Sequence, residues 1–224
     1  MSNMPSAGES RLAIIGDIHA QHDALLAVLA AARARGIVRG VCVGDVVMRG
    51  PQPQECVDTV RSTGWPCVIG NTDAKVARGN PRPDTHPASD RVGSRSWTYR
   101  RLDEPSLVWL ASLPQRLSVI LAGYRIVVAH GQPGDLSVIV DEDTPTEELR
   151  RQAEALEADV LVVGHTHVQM VRRAGRALVV NAGAVGEGLP EDQRPRWAWV
   201  EVTPAGPVVH TEVVEADLAP PRSV

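Results

Sequence analysis

The chain has 224 residues, 43% of them hydrophobic and 22% charged, with a formal net charge of −4. That length suits one sizeable core better than two full domains, and the balance of residues excludes wholesale disorder or a fibrous repeat. The slight acidity excludes a general electrostatic hold on nucleic acid or anionic membrane, so any anion must be recruited by a local site.

Taken in chain order, the opening segment MSNMPSAGES has neither a basic stretch nor an apolar run of signal-peptide type. Residues 1–10 and 215–224 are expected to be flexible tails on a single domain spanning 11–214. Short β-branched runs then recur as LAII from Leu12, VCV from Val41, CVI from Cys67, IVVA from Ile126, LVV from Leu161 and LVV from Leu178. Each has strand length. Amphipathic helical patterns over 22–35 and 52–61 separate the first three, which predicts a β-α-β-α-β order and parallel strands buried on both faces.

Residues 74–114 break this rhythm with the Pro-rich GNPRPDTHPASD followed by the helical SWTYRRLDEPSLVWLASLP, and are expected to form a helical cap insertion. Its Trp97, Leu102, Leu107, Trp109 and Leu110 are available for packing. Further on, Thr144-Pro145-Thr146-Glu147 carries the pattern of a capping threonine with proline at the first helical position, so a helix to about Leu156 is predicted. QMVRRAGRALVVN and WAWVEVTPAGPVVHTEVV each read as a hairpin about a glycine-containing turn, so the sheets should be mixed.

Cys42, Cys56 and Cys67 are widely spaced in apolar contexts, which fits neither a disulfide framework nor a thiolate metal knot and points to a reducing cytoplasm. No run reaches the ~18 apolar residues that a membrane span requires.

The chemistry lies in what ends each apolar run. LAII exits into Gly16-Asp17-Ile18-His19, VCV into Gly44-Asp45, CVI into Gly70-Asn71, IVVA into His130, and LVV into Gly164-His165-Thr166-His167. The carboxyl ends of parallel strands share one edge and form the ligand crevice, so Asp17, His19, Asp45, Asn71, His130, His165 and His167 should converge. Any one of these side chains could be satisfied by ordinary hydrogen bonds. As a set they exceed what one ion can use, whereas two ions ~3.5–4 Å apart, bridged by a carboxylate, can use them all, and such pairs serve in-line displacement at phosphorus.

These motifs resemble the calcineurin-like metallophosphoesterase family, and Asn181-Ala182-Gly183-Ala184-Val185-Gly186 is similar to a turn of its small bacterial phosphodiesterase branch. The resemblance implies a four-layer α/β/β/α sandwich with two mixed sheets. It puts Asp17, His19 and His167 on one divalent metal, Asn71, His130 and His165 on a second, and Asp45 between them, with Asp45, Asn71 and His130 central to catalysis by a bridging hydroxide. Manganese is the expected ion, with iron, nickel or zinc as alternatives given the imidazole-rich donors. The expected substrate is a phosphoester small molecule or nucleotide, with nucleic acid less favoured and no membrane partner.

Two departures from the family pattern sharpen the expectation. GNTD places Thr72 where many relatives carry a histidine that helps protonate the leaving group; threonine is far too weak an acid for that, which favours diesters. GDVVMRGP resembles the phosphate-gripping stretch of phosphoprotein phosphatases and dinucleoside tetraphosphatases, so Arg49 is expected to bind substrate phosphate, alongside Asn71 and Thr72. That feature also keeps a phosphomonoesterase or dinucleoside polyphosphate hydrolase as the runner-up; a non-catalytic protein-binding scaffold of the same fold is a third reading. His22, His86 and His210 are expected to be structural. The basic and aromatic mix from Arg91 to Arg101 is read as a packed aromatic face with a solvated basic one.

Overall fold

The computed structural model describes residues 10–79, 91–136 and 138–215. Two sheets form the centre. One has four strands in the order β2-β1-β8-β9, built from β1 (Arg11–Ile15), β2 (Gly40–Cys42), β8 (Arg196–Thr203) and β9 (Gly206–Val213). The other has five in the order β3-β4-β5-β7-β6, from β3 (Arg116–Leu121), β4 (Tyr124–Ala129), β5 (Val160–Val163), β6 (Gln169–Ala174) and β7 (Ala177–Ala182). Both sheets are mixed: β1 runs parallel to β2 and antiparallel to β8, while β5 runs parallel to β4 and β7.

Side-chain alternation along the strands creates the layers. Ile14, Val128, Val162 and Val180 point between the sheets and pack with Leu12, Val43, Val160 and Val200 in the central core. Their neighbours point the other way. Ala13, Ile15, Trp197 and Trp199 meet the helices α1 (His22–Ala34) and α2 (Pro53–Thr63), whereas Val127, Leu161, Val163 and Val179 meet Leu149 and Ala153 of α6 (Thr146–Ala155). Each fully buried aliphatic side chain contributes about 1.5–3 kcal/mol of apolar burial. Helices outside and sheets inside give the expected α/β/β/α sandwich.

The helical stretch after residue 90 is two helices, α4 (Arg95–Tyr99) and α5 (Glu104–Ser112), which follow α3 (Asn71–Ala77). The break has a local cause: the Asp103 carboxylate accepts a 2.8 Å bond from the Ser106 amide, capping a new helix with Pro105 in its first turn. Leu102 and Leu110 sink into the same core as α1 and α2, and Trp97 is buried with the Arg101 guanidinium 3.8 Å above its ring. Part of the anticipated insertion, including His86, lies outside the described residues, as do nearly all of both expected flexible tails.

Three sequence expectations change. CVI forms no strand: Pro66 has no N–H to donate, and Cys67 meets β2 through a single parallel bridge to Cys42 before the chain turns away at Gly70. Thr144 does not cap α6. Its hydroxyl donates to the Asp141 carboxylate at 3.0 Å, and the helix starts after Pro145 with no side-chain cap. The sequence pattern also passed over β3, an edge strand whose side chains are largely exposed and which pairs with β4 through a two-residue turn.

That turn, Ala122-Gly123, has φ of 46° and 89°, so both central residues are left-handed, as a type I′ hairpin requires. Alanine is strained there and asparagine is tolerated. Ala122→Asn should therefore stabilise the protein by about 0.5–1 kcal/mol, raising Tm by about 1–4 °C in thermal denaturation, with no effect at the site described next.

Candidate metal centre

The residues that end the apolar runs come together where the carboxyl ends of β1, β2, β4 and β5 meet. Asp17 and His19 lie on the loop after β1, Asp45 after β2, Asn71 opens α3, His130 follows β4 directly, and His165 and His167 occupy the turn after β5. Bonds across the two sheets lock these loops together. The His165 amide donates to Asp17 Oδ2 at 3.2 Å, and His130 Nδ1 lies 2.9 Å from the Val43 carbonyl.

The backbone bends sharply to achieve this. Asp17, His19, Asp45, His165 and His167 all have φ between 49° and 75°, a left-handed conformation that costs non-glycine residues about 1–3 kcal/mol each and clusters at functional sites. Close approach is made possible by Gly70, where a Cβ would stand 2.1 Å from Asp45 Oδ1. Asn181 holds the last turn, its Nδ2 donating to the Gly164 carbonyl and the Thr166 hydroxyl at 2.9 Å each.

Two groups of donor atoms result. Asp17, His19 and His167 each offer an atom within 4.8 Å of the others, as do Asp17, Asp45 and His130. Asn71 Oδ1 lies 3.0 Å from His130 Nε2 and 2.8 Å from His165 Nδ1, and Asp45 Oδ2 is 3.5 Å from His130 Nε2 and 3.7 Å from His19 Nε2. Asp45 therefore stands between the two groups.

These contacts fit cations. A carbonyl cannot donate, so the bond to Val43 puts the His130 proton on Nδ1 and leaves the Nε2 lone pair facing the amide oxygen of Asn71. With the amide oxygen facing that lone pair, a positive charge between them, a second proton on His130 or a metal ion, would relieve the repulsion. Asp17 Oδ1 is buried without a hydrogen-bond partner among the described residues, and His19 Nε2 faces His167 Nε2 at 3.1 Å.

The protonation equilibria agree. Burial pushes the Asp17 carboxyl up to about 7, with the Asp45 charge adding to the shift and His130 opposing it. Burial also raises Asp45, but His130, His19 and the Thr72 amide outweigh it and hold Asp45 below its ordinary value. Burial pushes His19 down to about 3 and lowers His165 and His167, keeping these imidazoles neutral and available as donors. His130 rises despite burial because Asp45, Asp17 and the Val43 carbonyl favour its cation.

Thr72 differs from expectation. It is 2% exposed, its hydroxyl donates to the Val47 carbonyl at 2.9 Å, and its amide donates to Asp45 Oδ1 at 2.8 Å. The side chain is committed inward and positions Asp45, so a substrate contact by the hydroxyl is not supported. Asp73 was assigned no role in the sequence, yet it receives the amides of Val46, Val47 and Gly70 at 2.9, 3.1 and 3.0 Å and ties the Asp45 loop to α3. An aspartate three residues after the glycine, at the spacing of a capping box, was the available signal.

Arg49 reaches the rim of the centre and forms an ion pair with Glu187, whose Oε2 is also 3.6 Å from His19 Nε2. Glu187 was not singled out in the sequence; its only signal is an acid set between two glycines after Asn181-Ala182-Gly183-Ala184-Val185. His22 bonds the Thr59 hydroxyl at 2.8 Å and His210 stacks on Trp199 with ring centroids 3.9 Å apart, so neither joins the centre.

A fold of this kind with this donor cluster defines a metallophosphoesterase-type protein, and comparison with known proteins agrees. Residues 11–204 match the calcineurin-like phosphoesterase superfamily domain, and the chain belongs to that family. It is 28% identical over 190 residues to an uncharacterized protein of Methanocaldococcus jannaschii, covering 83% of this chain and 73% of that one. Among solved structures it resembles a metallophosphoesterase from Sphaerobacter thermophilus, with 28% identity, a TM-score of 0.74, and coverage of 92% of this chain and 88% of that chain. The fold is also shared with a hypothetical protein from Pyrococcus horikoshii, at 19% identity and a TM-score of 0.79 over 92% of this chain and 88% of that chain.

Glu187 occupies the Arg49 guanidinium, so a phosphate could use that group only by displacing a carboxylate. Glu187→Gln should lower KM for phosphoesters by about two- to fivefold, and the gain should vanish in an Arg49→Ala background when the four proteins are compared in steady-state assays.

Proposed function

We propose that the protein is a dinuclear metal-dependent phosphodiesterase, in which Asp17, His19 and His167 hold one divalent ion, Asn71, His130 and His165 hold the second, and Asp45 lies between. The observation that carries this reading is the apposition of the Asn71, His130 and His165 donors near the buried Asp17 Oδ1, which has no hydrogen-bond partner among the described residues. Divalent ions held there would supply Lewis-acid stabilisation of a phosphoryl oxygen and a nucleophile at neutral pH. Manganese is favoured, with iron, nickel or zinc also suited to these donors.

The remaining roles belong to the chain's own groups. The Val43 carbonyl fixes the His130 tautomer, and the amides of Thr72 and His165 orient Asp45 and Asp17. Arg49 would grip a non-bridging phosphate oxygen once Glu187 lets go, since its planar fork suits that geometry. With the Thr72 hydroxyl turned to Val47, no imidazole stands at that position to protonate a poor leaving group, which favours diesters with stable leaving groups. The Arg49 fork is the observation that keeps phosphomonoesters and dinucleoside polyphosphates as the second reading.

Among the described residues no helix is long and apolar enough to cross a membrane. The three cysteines are free and buried, which suits a reducing, cytoplasmic setting.

The test is to purify the protein without chelator, measure bound metals, and compare bis(p-nitrophenyl) phosphate with the monoester in added manganese. Two ions per chain are expected, with kcat/KM about tenfold or more in favour of the diester, and Asp45→Asn should lose about a thousandfold. Two bound ions with neither ester hydrolysed would favour a non-catalytic scaffold.

A further inference from the structure

A cavity of about 560 Å³ opens beside the centre, lined by Asn71, Ala74, Lys75, Arg78, Gln115, the 134–136 turn and His165. This is the volume of a small-ligand pocket and far more than one phosphoryl group fills. Its charge follows from one helix face. Residues three and four apart on a helix lie above one another, so Asn71, Lys75 and Arg78 form a single row along α3 and its C-cap. At 1.5 Å per residue Lys75 stands about 6 Å and Arg78 about 10 Å beyond Asn71, each roughly one turn further from the centre.

Ala74, on the same side, leaves the space in front of that row open. Lys75 and Arg78 are exposed, and neither forms an ion pair with an acidic side chain among the described residues. Among the described residues Asp135 is the single acid of the lining, so the cationic groups there outnumber it. Lys75 is moreover the only lysine in a chain with 22 arginines. An ammonium and a guanidinium one turn apart suit a compact, multiply charged oxyanion.

We propose that this cavity is a second anion subsite, and that the favoured substrate is a phosphodiester one arm of which carries a further phosphate, as in a nucleoside 3′,5′-bisphosphate ester. Asn71 and His165 lie on its wall and also belong to the candidate centre, so the scissile phosphate and the second phosphate would sit at opposite ends of one row of α3 side chains. The substrate class rests on the phosphodiesterase reading; the anion site itself does not.

The experiment compares the p-nitrophenyl ester of thymidine 5′-phosphate with the same ester carrying a 3′-phosphate, using the manganese-loaded wild type, Lys75→Ala, Arg78→Ala and the double variant. Binding of thymidine 3′,5′-bisphosphate and thymidine 5′-phosphate is measured by calorimetry on the same proteins. The expected result is a preference of about tenfold in kcat/KM for the 3′-phosphorylated ester, falling to within about twofold of unity in the double variant, with a parallel loss of bisphosphate affinity. Because Lys75 is the sole lysine, bisphosphate should also slow its modification by an amine-directed reagent, read by peptide mass analysis. A wild-type preference near unity, or one that survives the double substitution, would overturn the substrate class. If neither ester is hydrolysed while two ions are bound, the phosphodiesterase reading and the substrate class fall together. The subsite then stands or falls on calorimetry, where equal affinity for the two nucleotides in the wild type overturns it.

Discussion

Two carboxylates, Asp17 and Asp45, and two imidazoles, His19 and His130, are buried to 1% exposure or less within one small volume. That crowding is the constraint on which everything else depends. Buried acids in this proximity favour neutrality or an added positive charge, in keeping with the rise of the Asp17 carboxyl to about 7, caused first by burial and further by the Asp45 charge. Divalent ions would resolve it with the most charge in the least space. Their binding would then also stabilise the folded chain by mass action.

The fold imposes this arrangement through strand ends. Parallel pairing of β1 with β2 and of β4 with β5 sends their carboxyl ends to one edge, and the core between the sheets brings the two edges together. Left-handed turns at five of the donor-bearing residues then aim side chains across the gap instead of along the strands. The bonds from Asp73 to three amides and from Asn181 to the Gly164 carbonyl hold those turns rigid. Several kcal/mol of backbone strain are offset by the surrounding hydrogen bonds and packing.

Much of this was legible because the signals are local. A glycine and a metal-competent side chain directly after an apolar run identify a strand end whatever the rest of the chain does, so the seven residues that meet at this edge could be named from short motifs. What escaped depends on long-range or rotameric facts. Glu187 meets Arg49 across 138 residues of sequence, and nothing in its loop announces that. Thr72 stands in the right place, but which way its hydroxyl turns is set by the Val47 carbonyl. The strand β3 is exposed at a sheet edge and joined through Ala-Gly, without the Asn-Gly signal that marks most such hairpins. Pro66, conversely, was sufficient reason to doubt a full strand at Cys67.

The central claim is that these seven donors share a cation pair. Anomalous diffraction from crystals grown with manganese tests it most directly. The account predicts two peaks per chain, one contacting Asp17, His19 and His167, the other contacting Asn71, His130 and His165, with Asp45 touching both; no ion in the cluster, or ions bound only elsewhere, would contradict it.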